Sequence, residues 1–258
     1  MKSISIIKIG GKVINDAAKL SEALDSFCKI PGGKILIHGG GSEASSMAKK
    51  MDVPVTMIEG RRITDDAMLE IVTMIYAGKV NKNIVAQLQA RNCNALGLSG
   101  ADGNTIESVR RPVKEIDYGN VGDVKNVNGV AIANLLKGGF VPVFCALTHD
   151  GKGNMLNTNA DTIASEIAKT LAKSYQVKLC YTFELKGVLQ NFEDKNSVIP
   201  LIKGDEFQDM KAQKVVNEGM IPKIHNALEA SKNGVQKVFI CQYSNMNQAE
   251  TGTQLCYQ

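Results

Sequence analysis

The chain has 258 residues, of which 44% are hydrophobic, and it carries a formal net charge of +4. This length and composition are typical of a globular protein with one large α/β domain or two lobes. The lysines and arginines alternate with acidic residues and form no basic stripe, so nucleic acid is not a predicted partner. No apolar run approaches the roughly 20 residues of a membrane span and no leader precedes the first strand, which predicts a cytoplasmic protein without membrane attachment.

The six cysteines are scattered along the sequence and include no C-x-x-C pair. Several of them lie in apolar strand-like runs, where a free thiol behaves as a small hydrophobic side chain. We therefore expect neither structural disulfides nor a zinc site.

Apolar strand-like runs alternate with segments of helical periodicity along the chain. Strands are predicted at residues 3–9, 34–37, 94–98, 140–146, 176–182 and 236–241. Helices are predicted at residues 16–29, 42–51, 65–78, 80–92, 128–137, 160–173 and 222–233. Between Gly100 and Val127, small and polar residues mix without helical period, which predicts hairpins. The alternation indicates βαβ units, so the predicted fold class is α/β, with three αβα layers around a mainly parallel central sheet.

The predicted lobe boundary lies near residue 175, just before the fifth strand. It divides the chain into an N-terminal lobe, residues 1–175, and a C-terminal lobe, residues 176–258. The polar, turn-rich stretch at residues 190–200 lies inside the second of these lobes.

Two early strands each end in glycines that precede a helical segment. Lys8-Ile9-Gly10-Gly11 ends the first strand, and His38-Gly39-Gly40-Gly41 ends the second. Glycines leave the backbone N–H groups accessible, and together with a helix N-terminus they make an anion-binding arrangement. Ligands of open α/β sheets bind beyond the carboxyl ends of the strands, so two such turns could line one site. Each turn alone is better explained as a tight bend, but two at equivalent positions favour a site.

The second turn also matches a dinucleotide-binding pattern. Residues 39–44 fit G-x-G-x-x-G/A, and Glu59 follows about 20 residues later, where that fold places its ribose-binding acid. The pattern follows the second strand instead of the first, however, and it leaves Lys8-Ile9-Gly10-Gly11 without a role. A nicotinamide-type oxidoreductase is therefore the less favoured alternative, and the P-loop pattern is absent from the sequence.

Five motifs follow one another along the chain. They are Lys8-Ile9-Gly10-Gly11, His38-Gly39-Gly40-Gly41, Gly60-Arg61-Arg62-Ile63-Thr64-Asp65, Asn157-Thr158-Asn159-Ala160-Asp161 and Gly219-Met220-Ile221-Pro222-Lys223. Together they resemble the amino acid kinase family, and within it the branch that phosphorylates N-acetylglutamate. The resemblance covers essentially the whole chain and implies the carbamate kinase-like fold of that family.

The resemblance implies an activity, its substrates and an assembly. The activity is ATP-dependent phosphorylation of the γ-carboxylate of N-acetyl-L-glutamate, the second step of arginine biosynthesis, with Mg²⁺ carried by the nucleotide and no metal ligand from protein side chains. N-succinyl-L-glutamate is the alternative acceptor, and a non-catalytic amino-acid-binding regulator is an alternative of another class. The first lobe would bind the acylglutamate and form a homodimer, and the second would bind ATP. Because the first strand begins almost at Met1, without an additional N-terminal helix, we expect no inhibition by arginine.

The resemblance also implies the catalytic groups. The reaction brings two anions together, so it needs positioned positive charge and oriented donors. Lys8 would contact the transferring phosphoryl group, Lys223 would stabilise the leaving side, and Asp161 would hold the two lysines in place. Backbone N–H groups that bind the phosphoryl oxygens and the γ-carboxylate would come from Gly10, Gly11, Gly40 and Gly41. The simpler explanations are a solvated strand end for Lys8, a surface helix lysine for Lys223 and a first-turn acid favoured by the helix dipole for Asp161.

The remaining implied residues bind the two substrates. Arg62 would bind the α-carboxylate of the acylglutamate, and Asn157 and Asn159 would bind its α-substituents, although Asn159 could also cap the following helix. Arg61 is predicted to be a solvated neighbour. The nucleotide-binding residues would be Glu184, Gly187 and Val188. They lie in Phe183-Glu184-Leu185-Lys186-Gly187-Val188, where relatives usually have Ser/Thr-Asp-x-x-Gly-Val/Ile, and Ser42-Glu43 likewise replaces the common Pro-Gln near the acyl pocket.

Overall fold

The computed structural model describes residues 2–58, 60–191, 193–212 and 220–257. The chain forms two compact units, one of residues 1–36 and 164–258 (unit 1) and one of residues 37–163 (unit 2). These units differ from the predicted lobes, because the first 36 residues belong with the C-terminal part of the chain. The assignment of acylglutamate binding and dimerisation to residues 1–175 and of ATP binding to residues 176–258 stays a prediction.

Strands and helices alternate throughout the described part of the chain. The strands are β1 (Ser3–Ile9), β2 (Gly33–His38), β3 (Met57–Ile58), β4 (Arg61–Arg62), β5 (Ala95–Leu98), β6 (Ile106–Arg110), β7 (Gly122–Val127), β8 (Val141–Phe144), β9 (Leu147–His149), β10 (Met155–Asn157), β11 (Gln176–Phe183), β12 (Leu201–Lys203), β13 (Lys237–Gln242) and β14 (Thr253–Cys256). The α-helices are α1 (Gly11–Ile14), α2 (Ala17–Cys28), α3 (Gly41–Lys50), α4 (Asp66–Thr73), α5 (Asn81–Gln89), α6 (Gly129–Lys137), α7 (Ala160–Ala172), α8 (Gly204–Ala212) and α9 (Ile221–Lys232). A π-helical segment, Met74–Val80, joins α4 to α5, and 3-10 segments cover Asp102–Asn104 and Tyr243–Thr251.

The predicted elements are present, with ends that move by a few residues. Each predicted strand and helix overlaps an observed one, and the hairpin expected after Gly100 is the antiparallel pair of β6 and β7. The sequence did not predict α8 or the 3-10 segment Tyr243–Thr251, each of nine residues, nor very short strands such as β3 and β4 with two residues each. Two residues cannot show a period of 2 or 3.6, which explains why β3 and β4 were missed.

Unit 1 contains a largely parallel sheet in the strand order β12-β14-β13-β11-β1-β2. β1 pairs parallel with β11, which pairs parallel with β13, and β14 is antiparallel to β13. Ile6 and Ile7 are both fully buried. Because adjacent side chains of a strand point to opposite faces, both faces of this sheet are covered.

Two polar side chains fix the ends of α2 and thereby the start of β2. The Asp16 carboxylate accepts hydrogen bonds from the N–H groups of Ala18 and Lys19, both at 3.1 Å, and so caps the N-terminus. At the other end, the buried Lys34 ammonium donates to the carbonyls of Cys28 at 2.8 Å and Ile30 at 2.9 Å. Lys34 lies in β2, so these bonds hold the strand that leads into the second glycine turn.

Unit 2 contains parallel and antiparallel strands. β5 and β8 pair parallel. A second sheet has the strand order β10-β9-β6-β7, and β3 and β4 form a small antiparallel hairpin. The predicted α/β fold class, with a mainly parallel central sheet flanked by helices, is confirmed. In the described residues, every helix is too short or too polar to cross a lipid bilayer.

Candidate active site

The first glycine turn follows β1 in unit 1. Lys8 is only 8% exposed, and its carbonyl accepts a hydrogen bond from Thr182 Oγ1 at 3.1 Å. Gly10 is the N-cap of α1, with an ordinary φ of −82°. A Cβ on Gly10 would lie 3.5 Å from the Thr182 carbonyl oxygen, which is a normal contact. Neither conformation nor packing therefore requires glycine at position 10, and a ligand that approaches the backbone closely would explain it.

The second glycine turn comes directly after β2 and lies in unit 2. Here packing against a neighbouring side chain requires glycine at position 40. A Cβ on Gly40 would lie 2.7 Å from Cδ1 and 2.9 Å from Cε1 of Tyr76. Tyr76 is buried, and burial raises the pKa of its phenol. The ring therefore packs directly on the Cα of Gly40, a position that only glycine allows. The sequence reasoning missed Tyr76, which lies in an apolar helical segment and is typical of a core residue there.

Arg62 lies beside this second turn. It is 8% exposed, and its Nη2 donates to the Gly41 carbonyl and to Ser45 Oγ, both at 2.7 Å. Its Nη1 is 3.8 Å from Met68 Sδ. The guanidinium is thus fixed at the start of α3, next to the turn, and its contact with an α-carboxylate stays a prediction, whereas Arg61 is exposed. Ser45, which the sequence reasoning did not single out, supplies one of the two anchors.

The Asn157 motif is connected to the same part of unit 2. Asn157 Nδ2 donates to Thr64 Oγ1 at 3.0 Å, and Thr64 Oγ1 donates to the Arg62 carbonyl at 3.3 Å. Asn159 Oδ1 accepts from the N–H groups of Asp161 at 2.8 Å and Thr162 at 3.1 Å. The predicted cap of α7 is therefore formed by Asn159, and Asp161 lies in the first turn of that helix. Unit 2 brings Gly41, Arg62 and Asn157 into one hydrogen-bonded network.

The carboxylate of Glu184, at the end of β11, pairs with two lysines of unit 1. Its oxygens lie 2.6 Å from Lys19 Nζ and 3.6 Å from Lys12 Nζ. The hydrogen bond from Lys19 lowers the pKa of Glu184, so this carboxylate is ionised at neutral pH. The pairing gives Glu184 a structural role, and its contact with a nucleotide stays a prediction.

Gly187 and Val188 pack against β14. A Cβ on Gly187 would lie 2.6 Å from Thr253 Oγ1, and the Val188 N–H donates to the same oxygen at 2.8 Å. The close approach of this loop to Thr253 therefore requires glycine at position 187, whereas Val188 contributes a backbone N–H group. Their assignment to nucleotide binding also stays a prediction.

Two residues of the predicted motifs, Gly219 and Glu59, lie outside the described part of the chain. Gly219 precedes Lys223 in its motif, and Lys223 is the third residue of α9. Glu59 is the candidate acid of the dinucleotide pattern. Among the residues described, there is no group of three or more His, Cys, Asp or Glu side chains placed to hold a metal ion.

His38, at the start of the second glycine turn, is fully buried. Its Nδ1 lies 2.7 Å from the Gly39 carbonyl oxygen, and its Nε2 lies 2.9 Å from Asn81 Nδ2. Burial lowers the pKa of His38 to about 4, so the imidazole is neutral at physiological pH.

This lowered pKa predicts a loss of stability in acid. Unfolded His38 takes up a proton near its ordinary pKa of 6.5, whereas folded His38 does so only near 4. The stability from neutral His38 is therefore fully present above pH 6.5 and is lost as the pH falls towards 4. Between about pH 7 and pH 5 the free energy of unfolding should fall by about 2 kcal/mol more in the parent protein than in His38→Asn. Urea unfolding at both pH values measures this difference, and an equal fall in the two proteins would contradict it.

Comparison with known proteins identifies relatives over nearly the whole chain. The model of the amino acid kinase family matches residues 3–242. A protein of Phocaeicola vulgatus named acetylglutamate kinase is 51% identical over 247 residues, covering 96% of each chain. A protein of the same name from Bacteroides thetaiotaomicron is 53% identical over 239 residues, covering 93% of each chain.

Solved structures with a similar fold cover nearly the whole chain. The smu.665 protein of Streptococcus mutans UA159 has a TM-score of 0.79 and 28% identity, and 99% of each chain is covered. Giardia lamblia carbamate kinase has a TM-score of 0.73 at 15% identity, covering 100% of this chain and 99% of its own, and so shares the fold. The predicted carbamate kinase-like fold is confirmed. The chain belongs to the amino acid kinase family.

Proposed function

We propose that the chain catalyses the ATP-dependent phosphorylation of N-acetyl-L-glutamate on its γ-carboxylate, the second step of arginine biosynthesis. The observation that carries the proposal is identity of about half of the residues, over nearly the full length, with proteins named acetylglutamate kinase. The arrangement of Arg62 beside the second glycine turn agrees with an acceptor that carries carboxylates at both ends.

Unit 2 supplies the proposed acceptor-binding groups. A guanidinium has five N–H donors in a planar fork, which suits two-point binding of a carboxylate. The bonds from Arg62 to Gly41 and Ser45 use Nη2, and the rest of the guanidinium would bind the α-carboxylate. Asn157 and Asn159 would bind the α-substituents, and the N–H groups of Gly40 and Gly41 would bind the γ-carboxylate.

Unit 1 supplies the proposed groups for the nucleotide phosphates. An oxygen of the ionised γ-carboxylate would attack the γ-phosphorus of ATP while the bond to the β,γ-bridging oxygen breaks and ADP leaves, so no general base is needed. Lys8 and the N–H groups of Gly10 and Gly11 would offset the charge of the transferring phosphoryl group. Lys223 would stabilise the leaving phosphate.

Four further residues have proposed roles in the reaction. Asp161 is proposed as the third catalytic residue, and Glu184, Gly187 and Val188 as the nucleotide-binding residues. Mg²⁺ would arrive with ATP and neutralise part of the phosphate charge. We expect a homodimer in the cytoplasm, whose mass analytical ultracentrifugation would measure.

Trapping of the acyl phosphate with hydroxylamine tests the proposed reaction. ATP is offered with N-acetylglutamate, N-succinylglutamate, glutamate and aspartate in parallel. The expected result is hydroxamate formation with the highest kcat/KM for N-acetylglutamate. A preference for N-succinylglutamate would contradict the acetyl group but keep the reaction class. Transfer to none of the four, or binding of NADH without binding of ATP, would overturn the proposal.

Arg62→Lys should raise the KM for N-acetylglutamate by about tenfold or more. The single ammonium group of lysine cannot reproduce the planar guanidinium, which would bind the carboxylate at two points while it also donates to the Gly41 carbonyl. The contact is made in the ground state and the transition state alike, so kcat should change less and the KM for ATP should not change. Steady-state kinetics with each substrate varied measures these constants.

Ser45→Ala is the matched control for Arg62→Lys. It removes one anchor of Nη2 and leaves the guanidinium in place, so we expect a rise in KM of only a few-fold. A fall in kcat alone in Arg62→Lys, with the KM for N-acetylglutamate unchanged, would show that Arg62 acts on the chemical step instead.

A further inference from the structure

The hydrogen bonds of His38 fix which ring nitrogen carries the proton. A carbonyl oxygen can only accept, so His38 Nδ1, at 2.7 Å from the Gly39 oxygen, must be the donor. In a neutral imidazole the other nitrogen, Nε2, is then an acceptor. It lies 2.9 Å from the amide nitrogen of Asn81, which is a donor.

The orientation of the Asn81 amide is fixed independently of the histidine. Asn81 Nδ2 also donates to the Val143 carbonyl of β8 at 2.9 Å. A flipped amide would direct an oxygen at that carbonyl and lose this bond. Asn81 is 1% exposed, so a buried acceptor without its donor would be costly. Asn81 therefore presents a hydrogen to His38 Nε2 and disfavours a proton on that nitrogen.

The bond from His38 to Gly39 sets the orientation of the next peptide group. The peptide that joins Gly39 to Gly40 is trans, so the Gly39 carbonyl and the Gly40 N–H point in opposite directions. With the carbonyl held towards the imidazole, the Gly40 N–H points away from it. The Tyr76 ring, packed on the Gly40 Cα, restrains the same peptide from another side.

We propose that His38, fixed as the Nδ1–H tautomer by Asn81, is a positioning residue that aims the Gly40 N–H at the γ-carboxylate of the acceptor. The kinetic consequence rests on the proposed function, whereas the tautomer does not. An N–H group that is already aimed needs no reorganisation when charge shifts during phosphoryl transfer.

Nitrogen-15 NMR of the histidine rings tests the tautomer directly. The chain has three histidines, so the signals of His38 are those that persist when His149 and His225 are both replaced by glutamine. At about pH 7 we expect a neutral ring with its proton on Nδ1. A proton on Nε2, or protons on both nitrogens, would overturn the proposal whether or not the protein is a kinase.

Two substitutions separate positioning from simple support of the fold. In His38→Asn the side-chain amide nitrogen can occupy the place of Nδ1 and still donate to Gly39. In His38→Gln the amide reaches the place of Nε2 and can accept from Asn81, but it offers Gly39 no donor. Both variants lose part of the buried ring, so both should unfold at lower urea concentrations.

The expected kinetic result differs between the two variants. His38→Gln should lower kcat by at least about tenfold, with little change in the KM for ATP, and His38→Asn should keep kcat within about threefold of the parent. Equal losses in both variants, or no loss in either, would overturn the positioning role. If neither variant folds, the NMR result on the parent protein decides. If the parent transfers no phosphate in the hydroxylamine assay, the proposed function fails and the tautomer is still judged on its own.

Discussion

Replacing Gly40 with alanine is expected to lower kcat/KM for N-acetylglutamate by about 10² and to destabilise the fold by about 1–3 kcal/mol. The added methyl group would lie 2.7 Å from the buried Tyr76 ring, so the ring or the peptide must move. Movement of the peptide redirects the proposed Gly40 N–H donor. Movement of the ring would disturb Arg62, because the Arg62 guanidinium interacts electrostatically with the Tyr76 phenol. Steady-state kinetics and urea unfolding measure the two effects.

Gly78→Ala is the matched control for Gly40→Ala. Gly78 lies two residues after Tyr76 in the π-helical segment, and no heavy atom lies within 4 Å of its Cβ position. Alanine should leave kcat/KM unchanged and stabilise the helical segment by about 0.5–1 kcal/mol. A Gly40→Ala protein as active and as stable as Gly78→Ala would show that the contact with Tyr76 can relax, and the close packing argued for Gly40 would be wrong.

The long elements of the fold were predictable because their patterns extend over enough residues. β1 and β11 are strands of seven and eight residues in which apolar residues predominate and most positions are buried, typical of strands covered on both faces. The sequence predicted a break between two helices at Lys79, whereas the structure continues through the π-helical segment from Met74 to Val80. Both a loop and a π-helical segment interrupt the helical period of the sequence, so the sequence could not distinguish between them.

The candidate site was predictable as far as local motifs define it. The glycine turns, Arg62 and the Asn159 cap all follow from short segments with a recognisable order. The side chains that hold those residues in place were not predictable from local motifs. Each comes from a segment that is distant in the sequence from the residue that it contacts, as Ser45 is from Arg62 and Tyr76 is from Gly40. Nothing in the sequence around Tyr76 distinguishes a ring that packs on a glycine from an ordinary core residue.

Glycines in similar motifs are present for different physical reasons. At Gly10 a Cβ would make an ordinary contact, whereas at Gly40 and Gly187 it would overlap a neighbouring side chain at 2.7 and 2.6 Å. A glycine needed for packing and a glycine needed for ligand access have the same letter in the sequence. Only the surroundings in the folded chain separate them, and they favour Gly10 as a position left open for a ligand.

Lys8→Met is expected to lower kcat by about 10²–10³, the range for loss of one preorganised electrostatic element. Methionine keeps most of the length of the side chain and removes its charge. The backbone of Lys8 is held by Thr182 and by the pairing of β1 with β11, so the turn should keep its place. Only the charge that offsets the transferring phosphoryl group is then lost. Single-turnover phosphate transfer measures the chemical step.

Lys12→Met is the matched control, because it removes the same charge four residues later in the chain. The Lys12 side chain is 86% exposed and its ammonium lies 3.6 Å from a Glu184 oxygen. Exposed ion pairs contribute about 0–1 kcal/mol, so stability should change little and kcat by no more than a few-fold. A fall of about 10²–10³ confined to Lys8→Met would therefore place the essential charge at the end of β1. Equal effects in the two variants would show that net charge near the turn matters and that Lys8 has no specific role, and a kcat unchanged in both would remove Lys8 from the proposed catalytic groups.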